Sequence, residues 1–151
     1  MMSVKNNHRA NDLTVEVVRN LNDYMKVVAI RSSVFLAEQD CPYDEEFDNN
    51  DLSACHLIAY LRGEPVATLR IRWFANFAKI ERVCVMKHVR GGALVLALRK
   101  LIDTHFPDLP FFGRDTTEAG ARIMRHLGFP PFDATPHLYW RCCSVMDENA
   151  A

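Results

Sequence analysis

The hydrophobic and polar positions of the chain repeat with two different periods, and these periods predict its strands and helices. An alternation with a period of two, rich in β-branched residues, predicts a set of strands in the first part of the chain. These strands are 14–18, 56–61, 66–74 and 79–85. Apolar positions at helical spacing predict a helix that Asn22 or Asp23 caps and that runs to Glu38. A second helix follows the loop 86–92 and ends before Pro107.

The remainder of the chain predicts two more strands with a helix between them. Residues 111–112 are a short buried strand, and 137–143 is the last strand. Asp115 and Glu118 have the spacing of a capping box, which predicts a helix from there through His126. A meander of strands followed by strand–loop–helix units is typical of an α+β fold and not of a doubly wound dinucleotide fold.

Length and charge restrict the functional classes. A chain of 151 residues fits one core, so we expect a single domain over 13–145, with 1–12 and 146–151 as flexible termini. The net charge of -1 gives no electrostatic reason to bind nucleic acid or an anionic membrane surface. No apolar run approaches the roughly 18 residues of a membrane span, and the polar N-terminus does not resemble a secretory signal. We therefore expect a cytoplasmic protein.

The cysteine and histidine positions give no metal or disulfide pattern. The cysteines stand at positions 41, 55, 84, 142 and 143, and no two of them form a C-x-x-C pair. The histidines have neither the spacing of metal ligands nor a partnering nucleophile. We expect reduced cysteines and no metal.

The junction between the strand 79–85 and the next helix is a candidate anion site. The loop 86–92 is basic and leads through Gly91, Gly92 and Ala93 into the helix. Such a junction gathers unpaired backbone N–H groups at the positive end of a helix dipole, which suits a diphosphate. Arg90 adds a fixed positive charge. A plain strand-to-helix turn is the alternative interpretation of these residues.

Arg31 lies on the apolar stripe of the first predicted helix, where a charge is costly unless it is paired. The following segment 40–51 predicts a loop, and it offers acidic partners in Glu46, Asp48 and Asp51. Packed together, these residues would fix the loop over the sheet. Two interpretations stay open: a cluster at a substrate site, or an ion network that only anchors the loop.

The loop sequence also carries a family resemblance. The run from Val83-Cys84-Val85 to Arg90-Gly91-Gly92-Ala93-Leu94-Val95 resembles the acyl-CoA loop of the GNAT superfamily, R/Q-x-x-G-x-G/A. Arg90 matches the motif, while Ala93 and Val95 replace two of its small residues. Leu127-Gly128-Phe129 resembles the end of the family's fourth helix, so the resemblance spans 14–143. It implies a GNAT fold with a mixed sheet of about six to seven strands flanked by helices.

The same resemblance implies a binding site for acetyl-CoA or another acyl-CoA. The donor would lie where the fourth and fifth strands separate, with its pyrophosphate on the loop. The residues that would contact it are Val83, Cys84, Val85, Arg90, Gly91, Gly92, Ala93 and Leu94.

A second resemblance concerns the acceptor side. The order of Arg31, Phe35, Glu46, Asp48, Asp51, Arg70 and Arg82 is similar to the signature of acyl-homoserine-lactone (autoinducer) synthases. The run 34–43, VFLAEQDCPY, is similar to small bacterial GNAT proteins. The resemblance implies that Arg31, Glu46, Asp48, Asp51 and Arg70 lie at the substrate site. Arg70 and Arg72 share a face with Thr68; they would bind an anionic acceptor group or simply line the wet face of the sheet.

Catalytic roles follow from the strand 79–85 as the resemblance places it. Strict alternation puts Lys79, Glu81, Val83 and Val85 on one face, with Ile80, Arg82 and Cys84 on the other. GNAT enzymes often carry a glutamate base on this strand, and Glu81 is the candidate here, directly or through water. The alternative is a surface carboxylate paired with Lys79. Met124 stands where the family has a tyrosine acid, which leaves Tyr139, His126 or water for that role.

The function implied is an N-acyltransferase that moves an acetyl or other acyl group from acyl-CoA to a small primary amine. Transfer would be direct, within one ternary complex, and needs no metal. A homodimer is compatible with this fold. Two alternatives stay open: an autoinducer-synthase-like enzyme that uses acyl carrier protein, and a non-catalytic acyl-CoA-binding module.

Overall fold

The helices and strands follow the predicted order. A computed structural model of the chain describes residues 12–106, 111–114 and 138–141. The strands are β1 (Leu13–Val17), β2 (Cys55–Leu61), β3 (Glu64–Trp73), β4 (Ala78–Val85), β5 (Phe111–Arg114) and β6 (Leu138–Arg141). The α-helices are α1 (Leu21–Arg31), α2 (Tyr43–Glu46) and α3 (Gly92–His105). A π-helical segment, Ser32–Glu38, continues α1, and a 3-10 turn, Lys87–Val89, precedes α3.

One mixed sheet contains all the described strands, in the order β1-β2-β3-β4-β5-β6. Neighbouring strands are antiparallel, with the exception of the parallel pair β4–β5. Arg62 and Gly63 form the two-residue turn between β2 and β3, with φ values of 52° and 82°. Two left-handed residues match the twist of a hairpin, which is why glycine is favoured there. The predicted α+β fold and antiparallel meander are confirmed.

The two faces of the sheet pack against different helices. On one face, α3 buries Leu98 and Ile102 against a cluster that includes Leu57, Leu69 and Ile80. On the other face, α1 and the π-helical segment cover a smaller cluster. That cluster contains Val27, Ile30, Val34, Ile58 and Cys84. The smaller apolar cluster leaves room on the α1 face for buried charged residues.

A β-bulge in β4 changes which side chains share a face. Glu81 pairs with Arg70 and Cys84 pairs with Thr68, so β4 has one residue more than β3 between these pairs. Arg82 takes up the difference with a φ of 52°, a left-handed conformation that is uncommon for a residue other than glycine. The prediction of strict alternation was therefore wrong beyond Glu81.

The bulge determines on which face of the sheet each side chain of β4 lies. Val83 and Val85 join Ile80 on the α3 face, and Cys84 packs on the α1 face. Glu81 lies on the α1 face, where it contacts Arg70. Glu81 thus does not share a face with Val83 and Val85, as the sequence had predicted.

Several predicted boundaries also differ from the structure. Helix α1 is capped by Asn20, whose side chain accepts from the backbone N–H of Asp23, and not by Asn22 or Asp23. The predicted helix to Glu38 is α-helical only to Arg31. The predicted loop 40–51 contains the single turn α2. The predicted helix from Asp115 through His126, with Met124 and Gly128, lies outside the described residues.

Candidate active site

Arg31 is buried at the end of α1, and acidic groups surround its guanidinium. Its Nε contacts Glu46 Oε1, and its Nη1 donates to Asp51 Oδ1 at 2.7 Å. The Nη2 group donates to the backbone oxygen of Glu46 at 2.9 Å. The side chains of Arg31 and Glu46 are each 1% exposed. The predicted pairing of Arg31 with the acidic segment is confirmed.

Arg70 on β3 is the second buried arginine, with no exposed side-chain surface. Its Nη1 donates to Asp48 Oδ1 and Asp51 Oδ1, both at 2.8 Å. Its Nη2 donates to Asp48 Oδ2 at 2.8 Å and to Glu81 Oε2 at 2.6 Å, and its Nε donates to the same Glu81 oxygen at 3.0 Å. A guanidinium has five N–H donors. All of those on Arg70 are used by carboxylates of the chain, which leaves none for a substrate.

Arg82, the bulge residue, connects the acidic segment to β4. Its Nε lies 3.0 Å from Glu46 Oε2, and its Nη2 donates to the backbone oxygen of Glu45 at 2.6 Å. The Nη2 group also lies 3.3 Å from Asp48 Oδ2. Hydrogen bonds from Arg70 lower the pKa of Asp48 well below its usual range. Asp48 is therefore ionised, and these contacts clamp the acidic segment onto both α1 and the sheet.

Glu81 lies at the edge of this network, with its side chain 8% exposed. Its Oε2 accepts from Arg70, while its Oε1 lies 2.6 Å from Lys79 Nζ and 3.4 Å from Arg72 Nη1. Burial opposes the ionisation of Glu81, but hydrogen bonds from Lys79 and Arg70 outweigh it and lower its pKa. The carboxylate is thus ionised at neutral pH and is a weak base.

The N-terminus of α3 has the features of an anion site. Gly91 is its N-cap, no side chain caps it, and its first turn holds no acidic residue. By contrast, the N-terminus of α1 is capped by Asn20 and carries Asp23. A Cβ added at Gly91 would meet no atom within 4 Å, so the space beside this residue is open. Gly92 and Ala93 are the first two helical residues, and Leu94 is buried. These features fit the predicted diphosphate site.

Arg90, the charged residue predicted at that site, has contacts of its own. Its Nη2 donates to both carboxylate oxygens of Glu38, at 2.9 and 2.8 Å, and its Nε donates to the backbone oxygen of Val85 at 3.1 Å. Both charged side chains are partly exposed, at 44% and 31%. Arg90 thus links the end of the π-helical segment to the end of β4.

Strands β4 and β5 pair over a short stretch only. Ala78, Lys79 and Ile80 oppose 111–113 in parallel register. In the described part of the chain, β4 continues from Glu81 to Val85 with pairing to β3 alone. Within the described residues, the pairing of β4 with β5 therefore ends next to the bulge. The predicted acid Tyr139 is on β6 opposite Gly113, which places its backbone in line with Ile80 across β5.

Val83, Cys84 and Val85 form the part of β4 beyond the bulge. Val83 is partly buried, while Cys84 and Val85 are buried, at 1% and 6% exposure. Burial strongly raises the pKa of the Cys84 thiol, which keeps it protonated and unreactive. Because these side chains are in the two cores, the backbone is the part of this stretch that can meet a donor.

The chain is similar to known proteins in both sequence and structure. No protein-family profile matches the sequence. A Bacillus subtilis protein named as an acetyltransferase is 33% identical over 97 residues, which are 60% of this chain and 66% of that protein. The B. subtilis protein YjcF, named as an N-acetyltransferase, is 32% identical over 88 residues, which are 56% of this chain and 63% of YjcF. The match thus spans slightly less than two thirds of each relative.

Solved structures match over more of the chain. An acyl-CoA N-acyltransferase from Pseudomonas aeruginosa superposes with a TM-score of 0.67 at 25% identity, covering 86% of this chain and 99% of that one. The chain belongs to the GNAT superfamily. Escherichia coli ElaA has the same fold, with a TM-score of 0.65 at 21% identity, covering 85% of this chain and 97% of ElaA.

Two polar residues of this GNAT chain, the half-buried Tyr24 and the buried His56, were not predicted at the site. The Tyr24 hydroxyl donates to Asp51 Oδ2 at 3.0 Å, and burial together with Asp51 raises the pKa of Tyr24 to about 12. His56 Nε2 lies 2.9 Å from the backbone oxygen of Asp51, and burial lowers the pKa of His56. The signal for Tyr24 was its position seven residues before Arg31, which places both side chains on one helix face.

Among the described residues of this GNAT protein, no three His, Cys, Asp or Glu side chains are arranged to hold a metal ion. No helix in the same part of the chain is both long and apolar enough to cross a membrane.

Proposed function

We propose that the chain is an N-acyltransferase that moves an acyl group, acetyl in the first instance, from acyl-CoA to a small primary amine. The observation that carries this proposal is the end of the described β4–β5 pairing after Ile80, beside a helix N-terminus without a capping side chain. The B. subtilis relatives named as acetyltransferases support acetyl transfer. A GNAT-fold neighbour from Clostridium acetobutylicum, solved with acetyl-CoA, supports the donor; its TM-score is 0.59 at 17% identity, covering 82% of this chain and 93% of that one.

The donor would bind along β4 and at the start of α3. The pyrophosphate would accept hydrogen bonds from the backbone N–H groups between Arg90 and Leu94, where the open space at Gly91 admits it. The thioester arm would lie along the backbone of 83–85, beyond the last described β4–β5 pair. Binding of the pyrophosphate at this site costs little free energy, because the helix N-terminus supplies both the N–H donors and a partial positive charge.

The reaction is a direct transfer between two bound substrates. The amine nitrogen attacks the thioester carbonyl carbon, a C–N bond forms, the C–S bond breaks, and the sulfur leaves as a thiolate that takes up a proton. The bulge at Arg82 takes its residue out of the regular ladder, so backbone N–H groups at this point are the candidate donors to the tetrahedral oxyanion. Tyr139 is the proposed acid, and water is the alternative.

Glu81 is the proposed proton acceptor, acting through water. Its lowered pKa means that it needs no activation to be ionised but that it accepts a proton weakly. The enzyme would therefore act mainly on the neutral fraction of the amine. Arg31, Glu46, Asp48, Asp51 and Arg70 would form the wall of the acceptor side and hold Glu81 and the bulge in position.

Donor binding is the first test of this proposal. Ligand at a hundredfold its dissociation constant stabilises the folded state by about 2.7 kcal/mol, so CoA and acetyl-CoA should raise the melting temperature clearly. Arg90→Glu should abolish the shift, whereas Lys100→Glu, on the exposed surface of α3, should retain it. Release of free thiol in the presence of primary amines then tests the transfer. No shift with any acyl-CoA would overturn the proposal.

A non-catalytic acyl-CoA-binding module is the second candidate. The observation that favours it is the engagement of Glu81 by Arg70, Arg72 and Lys79, which weakens the proposed base. This candidate predicts the same thermal shift with CoA but no thiol release above the rate of spontaneous hydrolysis with any amine.

A further inference from the structure

The ion network on the α1 face of the sheet has an excess of positive charge at one end. In the described part of the chain, five basic side chains meet four carboxylates in this network. The basic members are Arg31, Arg70, Arg72, Lys79 and Arg82, and the acidic members are Glu46, Asp48, Asp51 and Glu81. We infer that the excess charge, on Arg72 and Lys79, binds an anionic group of the acceptor. This inference rests on the proposed acyl transfer.

The three other arginines are matched by carboxylates within the chain. Arg31 contacts Glu46 and Asp51, and Arg70 uses every donor on Asp48, Asp51 and Glu81. The side chains of both arginines are at most 1% exposed. An acceptor cannot reach them without breaking a buried ion pair, which is costly.

Arg72 and Lys79 are in a different situation. They share a single carboxylate oxygen, Glu81 Oε1, at 3.4 and 2.6 Å, while Arg70 occupies Oε2 of the same residue. Their side chains are 28% and 29% exposed, so each has surface open to solvent. Two cations that share one carboxylate oxygen can bind a further anion, which would add charge-assisted hydrogen bonds.

The position of this pair is consistent with an acceptor subsite. Arg72 and Lys79 are directly opposite each other on β3 and β4. Lys79 pairs with β5, and in the part of the chain that the structure describes this pairing ends at Ile80. Two residues along a strand span about 7 Å, so the cations lie a short distance from the end of the described β4–β5 pairing. They lie on the α1 face, whereas α3, with the proposed donor site, packs on the opposite face.

The acceptor class that fits is a small amine that also bears a carboxylate or a phosphate. The amine would be directed to the separated stretch of β4, and the anion would be held by Arg72 and Lys79. A neutral amine or a polyamine lacks a group for these cations, and a second positive charge near them would be repelled.

Matched pairs of amines test this inference. The probes are glycine with glycinamide, β-alanine with β-alanine amide, and phosphoethanolamine with ethanolamine. For the wild-type protein with acetyl-CoA, KM is expressed as the concentration of the neutral amine, because the two members of a pair differ in amine pKa. We expect this KM to be about tenfold lower for an anionic member than for its neutral partner, as one charge-assisted contact gives. Carboxylates and phosphates are distinguished by which pair shows the larger ratio.

Variants then show whether the two cations cause the preference. Lys79→Gln and Arg72→Gln should each raise KM for the anionic amines about tenfold relative to KM for their neutral partners. Lys79→Arg keeps the charge and should keep the preference, and Lys100→Gln on α3 is the matched control. Equal KM values within each wild-type pair, or equal losses for both members in Lys79→Gln, would overturn the inference.

A binding measurement separates this inference from the proposed transfer. Titration calorimetry of phosphoethanolamine and β-alanine into the protein with CoA needs no turnover. If these amines bind to the wild type and Lys79→Gln abolishes the binding, the anion subsite is supported, even when no thiol is released with any amine. The lack of thiol release would then overturn only the proposed transfer. Turnover of neutral and anionic amines without discrimination would support the transferase and overturn the subsite.

Discussion

Arg70 donates from Nη1 to Oδ1 of Asp51 at 2.8 Å, and that same oxygen accepts from Arg31 Nη1 at 2.7 Å. One carboxylate oxygen therefore joins the end of α1 to the middle of β3. The side chain of Asp51 is 10% exposed, and those of the two arginines are at most 1% exposed. Water therefore cannot replace the Asp51 carboxylate. Asp51 is the residue on which both buried arginines depend.

Asp51→Asn should destabilise the fold strongly. The amide keeps the shape of the side chain but leaves two buried guanidinium groups without a shared anion. Breaking a buried ion pair by removing one partner costs about 3–5 kcal/mol. Urea unfolding gives the free energy of unfolding, and Asp44→Asn, on the exposed surface of α2, is the control with a change below about 0.5 kcal/mol. A loss below about 1 kcal/mol for Asp51→Asn would show that the network tolerates a neutral residue there.

The sequence was sufficient to predict the ion network, for a physical reason. A charge such as Arg31 on an apolar helix face must find a partner, and the acidic segment 45–51 was close enough to supply it. The start of α3, where the anion site is proposed, was also predictable, because Gly91 precedes a regular helical pattern. The general order of strands follows from their alternation in the same way.

Other features could not be predicted because they depend on tertiary contacts. The bulge occurs at Arg82, and an arginine carries no local signal for a left-handed conformation. Its position reversed the faces of the residues that follow, so Val83 and Val85 lie on the opposite face from Glu81. Likewise, the short turn α2 and the end of α1 at Arg31 depend on contacts with the acidic segment, which no window of sequence contains.

At the bulge residue Arg82, we expect glycine to be more stable than alanine, which is the reverse of the usual order in a strand. Arg82→Gly and Arg82→Ala both remove the contacts to Glu46 and Asp48, but only glycine adopts a φ of 52° without strain. A left-handed conformation costs other residues about 1–2 kcal/mol. We therefore expect Arg82→Gly to be more stable than Arg82→Ala by about 1 kcal/mol in urea unfolding.

Thr14, an exposed residue of β1, provides the matched control for this comparison. In a regular strand, glycine is less stable than alanine by about 0.5–1 kcal/mol. The order of the two variants should thus be opposite at positions 14 and 82. The same order at both positions would contradict the bulge.

His56 should make the stability of the fold dependent on pH below neutrality. Burial lowers the pKa of His56, so the unfolded chain, in which this pKa is about 6.5, takes up the proton first as the pH falls. The contribution of neutral His56 to stability is complete above about pH 6.5 and is lost toward lower pH. Its Nε2–H donates to the backbone oxygen of Asp51, which His56→Gln can replace with an amide N–H.

Urea unfolding of the wild type and His56→Gln between pH 5 and 7.5 measures this contribution. Other groups titrate in both proteins and cancel in the difference. The wild-type protein should lose stability relative to the variant as the pH falls from about 6.5 to 5. A difference that does not change with pH would show that the pKa of His56 is not lowered in the folded state.

Glu38 should oppose donor binding. Its carboxylate accepts both hydrogen bonds from Arg90 Nη2, so it competes with a donor phosphate for that guanidinium. An ion pair this exposed is worth little, roughly 0–1 kcal/mol, so the exchange is easy. Glu38→Gln should therefore strengthen CoA binding by up to about fivefold in titration calorimetry. Glu45→Gln, exposed on α2, is the control, and weaker CoA binding in Glu38→Gln would show instead that Glu38 positions Arg90 for the donor.

The pH dependence of transfer tests the role of Glu81. Since its pKa is lowered, Glu81 is ionised throughout the neutral range, and the rate should follow the neutral fraction of the amine. With an alkylamine acceptor, kcat/KM should rise tenfold per pH unit and level off only near the pKa of the amine, about 10. A further decrease in kcat/KM toward low pH, with a midpoint between pH 5 and 7 that belongs to the free enzyme, would contradict the lowered pKa of Glu81.

Glu81→Gln separates catalysis from support of the network. General base catalysis contributes about 10²–10⁴-fold, so kcat should fall by that factor, while the thermal shift with CoA should remain. The variant also removes one partner of the buried Arg70, so unfolding must be measured on the same sample. Glu81→Asp, which keeps the charge but shortens the side chain, should restore part of the stability and less of kcat. If Glu81→Gln lost stability but turned over at the wild-type rate, Glu81 would serve only to hold Arg70, and the proton would go directly to solvent.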